Sequence, residues 1–372
     1  MRTLVLAAAA SAATLAFLHP VAPLAATGPS VALIAPDGLT LPAPKAGRAR
    51  PLVVVLADSA GAETTDFTIP YGVLKESGVA EVRSVATGAG SIKLRPSLRV
   101  LADQTTAQFD RAEPAGADII IVPAQVKPKS PELAAWLRAQ AAKGATIVSI
   151  CEGARVLANA GLLHDRRATT HWSALKGLTK AYPDTTWVRD RRYVQDGAVI
   201  STTGVSASIP ASLALVEAIA GRAAAQATAD RIGVREWGVE HRTADFQVTG
   251  ADYRHAVASL AAFWTHEAVE APITDGADEV ALALRADTWS RSYRTKVVTT
   301  RVGLAPVRSR HGLTILPDAE PQAGRYVLPV QPGPAAAQID ANLAAMSKRY
   351  GPEAARLAKL GLEYDPPKAV AR

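Results

Sequence analysis

Cys151 is the only cysteine among 372 residues, and its neighbours are of the kind that expose a nucleophile. It closes the run Ala145-Thr-Ile-Val-Ser-Ile150 and is followed by Glu152, Gly153 and Ala154-Arg-Val-Leu-Ala-Asn-Ala160. The apolar, β-branched run predicts a buried strand. Gly153 onward predicts a short helix, with Val156, Leu157 and Ala160 on one side and Gly161 as its C-cap. A thiol at such a junction faces a helix N-terminus, whose free N–H groups and dipole favour the thiolate. The chemistry this permits is nucleophilic attack or oxidation at sulfur. The plain alternative is a cysteine packed as a small apolar side chain.

An elbow of this kind needs a sheet and helices around it. Leu52-Val-Val-Val-Leu-Ala57 and Glu81–Ala86 predict strands, separated by a helix from Ile69 to Ser77 with Pro70 at an early position. Asp118–Val122 predicts a fully apolar central strand, and Pro131–Lys143 an amphipathic helix with Leu133, Trp136, Leu137 and Ala141 on its apolar stripe. Ala198–Ser201 and a helix over Ala211–Ala220 complete the unit. Strands alternating with helices predict a doubly wound, flavodoxin-like parallel α/β domain over 52–229, with its ligand site at the carboxyl ends of the strands, where Cys151 falls.

Outside that domain the pattern changes. Residues 1–26, with Arg2, the apolar run Leu4–Leu18 and Ala25-Ala26, predict a signal peptide or a retained N-terminal anchor, and hence an exported protein, periplasmic or secreted. Residues 27–51 carry Pro29, Pro36, Pro42, Pro44 and Pro51 and predict a linker. Beyond, 230–372 forms a C-terminal α/β extension of unassigned role, with helices over Tyr253–His266 and Asp278–Arg291 and a strand over Thr295–Arg301. It echoes the first domain loosely: Asp66-Phe-Thr-Ile-Pro70, Val82–Thr87 and Leu98–Asp103 return as Glu279-Val-Ala-Leu-Ala283, Val297–Thr300 and Leu313–Asp318, as in a truncated repeat. No second cysteine elbow follows, so no catalysis is assigned to this half. The net charge of +7 comes from scattered basic residues, densest from Arg285 to Arg310, and no nucleic-acid partner is expected. No HExxH, CxxC pair, Walker A or EF-hand pattern occurs, and His241, His255 and His266 are too dispersed for zinc; no metal or cofactor is expected.

The segment Ser149-Ile-Cys151-Glu-Gly-Ala-Arg-Val-Leu-Ala-Asn-Ala-Gly-Leu-Leu163, followed by Arg167-Ala-Thr-Thr-His171-Trp172, resembles the ThiJ/PfpI superfamily of class I glutamine amidotransferase-like folds. The branch it is most similar to is that of isonitrile hydratase and the amidase-like portion of GlxA-type regulators. Arg192–Gly197 and Thr203-Gly204-Val-Ser206 resemble that branch's later strand and loop. The resemblance implies a nucleophilic, oxidation-prone Cys151, an Asp66 that hydrogen-bonds its thiol, and a His171 near it. It implies that the Glu152 N–H helps bind an oxyanion beside Gly153, with Trp172 and Gly204 at the pocket. Where many members have Pro-Gly-Gly, this chain has Pro123-Ala124-Gln125, so an N–H of Ala124 or Gln125 would have to serve, and Pro210 stands where the branch often has an acid. A homodimer is implied as well. Two functions follow: a cysteine-dependent hydratase or hydrolase acting on a small electrophile, or a non-enzymatic redox or small-ligand sensor that keeps the pocket.

Overall fold

Residues 38–364 are described by a computed structural model, so the leader-like residues 1–26 lie outside the described residues. Seven strands cross the main sheet in the order Tyr193–Asp196, Val199–Thr202, Thr146–Ser149, Ile119–Val122, Leu52–Ala57, Glu81–Ala86 and Gln104–Thr105. Every neighbouring pair is parallel except the first. That edge strand is antiparallel because Gly197, at φ 58°, turns the chain back in too few residues for a crossover. Leu52–Ala57, Ile119–Val122, Thr146–Ser149 and Val199–Thr202 are buried along their whole length, which is why they read as continuous apolar runs.

Alternate residues of these strands feed two cores. Leu52, Val54 and Leu56 pack with Phe109, Trp136, Leu137 and Leu157 on one face. Val53, Val55 and Ala57 pack on the other with Phe67, Tyr71, Leu213 and, from the C-terminal part, Trp289. The chain leaves Leu52–Ala57 toward one edge and returns on the other side at Ile119–Val122, so the strand order reverses between them. The crevice at a reversal of this kind opens at the carboxyl ends of the strands.

The helix carrying Asp66 spans Thr64–Ser77. It starts five residues before the expected Ile69, because Glu63 caps it by accepting from the Asp66 N–H at 2.7 Å. Pro70 is then interior and forfeits only the bond that its own N–H would have made to the Asp66 carbonyl. The described part of the expected linker is fastened rather than free: Thr40 exchanges two bonds with the Gln195 side chain, and Arg48 pairs with Asp118 and Glu113.

The C-terminal part begins with the helix Gly250–Ala261, earlier than expected because Thr249 and Asp252 form a capping box. Strands Glu267–Pro272 and Thr295–Thr300 follow, parallel and joined by the helix Glu279–Ser290. A five-stranded minor sheet runs Val307–Arg308, Thr314–Ile315, Leu98–Leu101, Ser91–Arg95, Ala62–Glu63. Helices Gln338–Tyr350 and Pro352–Gly361, which the sequence reading did not place, end the described chain. Among the described residues no helix is long and apolar enough to cross a membrane.

Candidate active site

Cys151 stands at φ 56°, in the left-handed region that a side chain enters at a cost of about 1–3 kcal/mol. Its surroundings fix that conformation. The Cys151 N–H donates to the Thr203 carbonyl at 3.2 Å, and the Thr170 hydroxyl donates to the Cys151 carbonyl at 3.0 Å. The Ile150 N–H donates to Val122 O at 3.0 Å, drawing the elbow onto the next strand. Only glycine fits after Glu152: a Cβ on Gly153 would lie 2.0 Å from Val122 O.

The expectation of an acidified thiol is corrected by these surroundings. Burial, then the carboxyls of Asp66, Glu152 and Glu63, push the Cys151 thiol well above its ordinary value; the Glu152 N–H bonded to it pulls weakly the other way. The helix behind it, Gly153–Asn159, is seven residues long, and a dipole of this kind contributes about 0.3–1 kcal/mol. The Glu152 carboxyl turns away onto Arg155 at 2.8 Å.

Asp66 is fully buried, and burial raises its carboxyl to about 7 against the pull of the Ala124 N–H and Arg291. Its Oδ2 accepts from the Ala124 N–H at 3.1 Å, while Oδ1 is buried without a hydrogen-bond partner. The expected hydrogen bond from Asp66 to the thiol is therefore not formed in this arrangement; what reaches Cys151 is the charge of the carboxyl. The Ala124 N–H, expected at an oxyanion, is occupied by Asp66, and the Gly153 N–H by Ile150 O at 2.8 Å. Gln125 is structural: its amide holds Asp58 N–H, Leu56 O and Pro123 O at the strand ends.

Residues outside the predicted set complete this cluster. Arg291, from the C-terminal half, binds Glu63 at 2.7 Å and Asp287 at 2.9 Å, and Thr65 donates to Asp287 at 3.2 Å. Burial works against the Arg291 charge, yet Asp287 and Glu63 hold its pKa above the ordinary value, and Cys151 lies within its field. Glu63 is pushed well up, by burial first and then by Asp287 and Asp66. One cation thus faces three carboxyls, of which Glu63 and Asp66 are held above their ordinary values.

His171 caps the helix Trp172–Ala181, its Nδ1 accepting from the Ser173 N–H at 3.3 Å. Nε2 is buried without a hydrogen-bond partner, and burial lowers the pKa of the ring. No hydrogen bond links it to Cys151; its ionic neighbour is Glu363, 3.9 Å away. Glu363, in the segment after the last helix, accepts from the Gly204 N–H at 2.5 Å and the Trp172 N–H at 3.4 Å and pairs with His241 at 2.8 Å. The Trp172 indole donates to Leu360 O at 3.0 Å. Gly204 and Trp172, expected at a pocket, are thus covered by the chain's own C-terminal segment. The basic stretch is largely spent internally: Arg301 pairs with Asp275 and Arg310 with Asp278. Among the described residues no group of three or more acids, histidines or cysteines is placed to hold a metal.

Residues 51–218 match the DJ-1/PfpI family. Isonitrile hydratase of Pseudomonas putida is 32% identical over 43% of this chain and 69% of its own length. Deglycase PH1704 of Pyrococcus horikoshii is 29% identical over 41% of this chain and 86% of its own. The HTH-type transcriptional regulator CdhR of Pseudomonas aeruginosa is 38% identical over 102 residues, 27% of this chain, which spans 30% of the regulator. A transcriptional regulator among the relatives sits poorly with the expectation of no nucleic acid. The elbow cysteine, the reversed strand order and these matches place the chain in the DJ-1/PfpI family.

Proposed function

We propose that this protein is a cysteine-dependent enzyme that adds water to a small electrophilic carbon, without a cofactor. The observation that carries the reading is the Cys151 elbow beside Asp66, a buried carboxyl with a pKa of about 7 and one oxygen left without a hydrogen-bond partner. A thiol with a raised pKa attacks only if its proton leaves in the same event, and a group titrating near 7 suits that exchange. With an isonitrile, sulfur bonds to the terminal carbon while the thiol proton passes by way of Asp66 to that carbon, giving a thioimidate. Water then adds to the carbon, the C–S bond breaks, sulfur recovers a proton and an N-substituted formamide leaves. An α-oxoaldehyde or amide centre would meet the same sulfur, and the Glu152 N–H is the donor best placed for the charge that develops. Screening wild type against Cys151→Ser with isonitriles, α-oxoaldehydes and amides tests this. Turnover by the wild type alone is expected; turnover kept by the serine variant excludes covalent catalysis.

A second reading, a redox or small-ligand sensor, is favoured by the segment lying over Gly204 and Trp172. Peroxide titration read by mass spectrometry tests it: a stable sulfinate on Cys151 that alters ligand binding supports the sensor. The character of residues 1–26 supports a site of action outside the cytoplasm. Sequencing the N-terminus of protein recovered from fractionated cells tests that placement.

A further inference from the structure

We infer that residues 267–328 are a truncated second copy of the half-sheet 52–122, that this copy takes the place of a second subunit within one chain, and that it completes the carboxyl cluster in cis through Arg291.

The main-chain bonding repeats with one constant offset as far as Ala319. Asp318 stands 215 residues after Asp103, and Thr299 the same distance after Ser84. In the first copy the Ser84 N–H and hydroxyl both donate to Asp103 Oδ2 at 2.8 Å, and in the second the Thr299 N–H and hydroxyl donate to Asp318 Oδ2 at 3.1 and 2.8 Å. The Asp103 N–H returns to the Ser84 carbonyl at 3.0 Å and the Asp318 N–H to the Thr299 carbonyl at 2.8 Å. At the same offset the parallel partners Val85 and Gln104 become Thr300 and Ala319, strand Leu52–Ala57 becomes Glu267–Pro272, and the helix cap Glu63 becomes Asp278. Val55 pairs with Ile121, and its counterpart Glu270 pairs with Val327, where the offset has dropped from 215 to 206, so the second copy is nine residues shorter before its last strand. The offset also corrects the echo read from sequence at the helix: Asp66 corresponds to Ala281, not to Glu279. The second copy therefore lacks the acid as well as the cysteine.

The two copies meet as subunits related by a twofold axis meet: one residue faces its own counterpart at the axis, and the contacts to either side are reciprocal. Val100 pairs with Ile315, its equivalent at the same offset, in the minor sheet. Leu101 pairs with Thr314, and the reciprocal contact is present, the Leu316 N–H donating to Arg99 O at 2.8 Å. Between the helices the reciprocity recurs: Gly72 lies so close to Val280 that a Cβ would approach it to 2.4 Å, and Thr65 bonds Asp287, the counterpart of Gly72. An antiparallel pairing centred on equivalent residues is the signature of an isologous interface, here closed inside one chain. Arg291, next after Ser290 at the end of the second copy's helix, then reaches Glu63 and the field of Cys151 as a partner's residue would. Strand Leu98–Leu101 and the helix Thr64–Ser77 are thus covered by the chain itself.

Two measurements on the full chain test this, and neither uses turnover, so their failure is separable from failure of the proposed chemistry. In a Cys151→Ser, Val100→Cys, Ile315→Cys protein, oxidation is expected to join positions 100 and 315 within one chain, seen as single-chain mass on a non-reducing denaturing gel and as one cross-linked peptide. A disulfide between two chains, or both thiols left free, overturns the inference. In the unaltered chain, amide exchange at Val100 and Leu101 is expected to be independent of protein concentration; protection that falls on dilution overturns it.

Discussion

Replacing Asp66 by asparagine asks whether the site keeps a proton that water would remove. Burial holds this carboxyl at about 7, against an ordinary value of 3.8. As pH rises past the lower value the unfolded chain releases the proton while the folded chain retains it. Stability therefore falls between roughly pH 4 and 7 and is flat above. Three units at about 1.4 kcal/mol each make the full loss about 4 kcal/mol, of which about 3 kcal/mol falls between pH 5 and 8. Asp66 is fully buried, so solvent screening does not reduce the effect. An asparagine at this position keeps a side-chain oxygen able to accept from the Ala124 N–H, but it does not titrate. Urea unfolding, followed by tryptophan fluorescence at a series of pH values, should show wild type losing stability across this window and Asp66→Asn losing markedly less. Parallel curves for the two proteins would refute the reasoning.

Three further outcomes follow from single contacts. Gly153→Ala sets a methyl 2.0 Å from Val122 O and should cost about 3 kcal/mol in urea unfolding; unchanged stability would contradict the elbow geometry. Glu363→Ala removes the acceptor of the Gly204 N–H and the partner of His241, and should cost about 1–3 kcal/mol and speed amide exchange at Gly204; slow exchange there would contradict its role. Ser84→Ala and Thr299→Val each delete the same hydroxyl bond to an aspartate and should cost alike, about 1 kcal/mol; a large effect in one alone would contradict the matched bonding.

Much of the scaffold was legible in the chain because local periodicity reports local structure. The buried strands appear as apolar runs, and Cys-Glu-Gly after Ser-Ile marks the elbow. The closing of the site was not legible. Arg291 meets Glu63 across 228 positions and Glu363 meets Gly204 across 159, and no pattern around either residue signals its partner. Arg291 read as one member of a basic stretch, although it is drawn inward by two acids. The thiol was misjudged for a related reason: a helix start is visible in sequence, whereas burial and the approach of Glu63 and Asp66 from another helix are not, and with the adjacent Glu152 they raise the thiol. The repeat was visible at Leu313–Asp318, but two residues out of register at the helix, where N-cap position rather than composition sets the alignment.

In the proposed chemistry Cys151 and Asp66 act as one proton-sharing pair, and the rate of Cys151 alkylation by iodoacetamide as a function of pH, in wild type and in Asp66→Asn, measures that pair most directly. The wild-type inflection is expected above the free-thiol value of about 8.5, and the variant, with one carboxyl charge removed, should move it to lower pH. An inflection well below 8 in the wild type, or the same profile in both proteins, would contradict it.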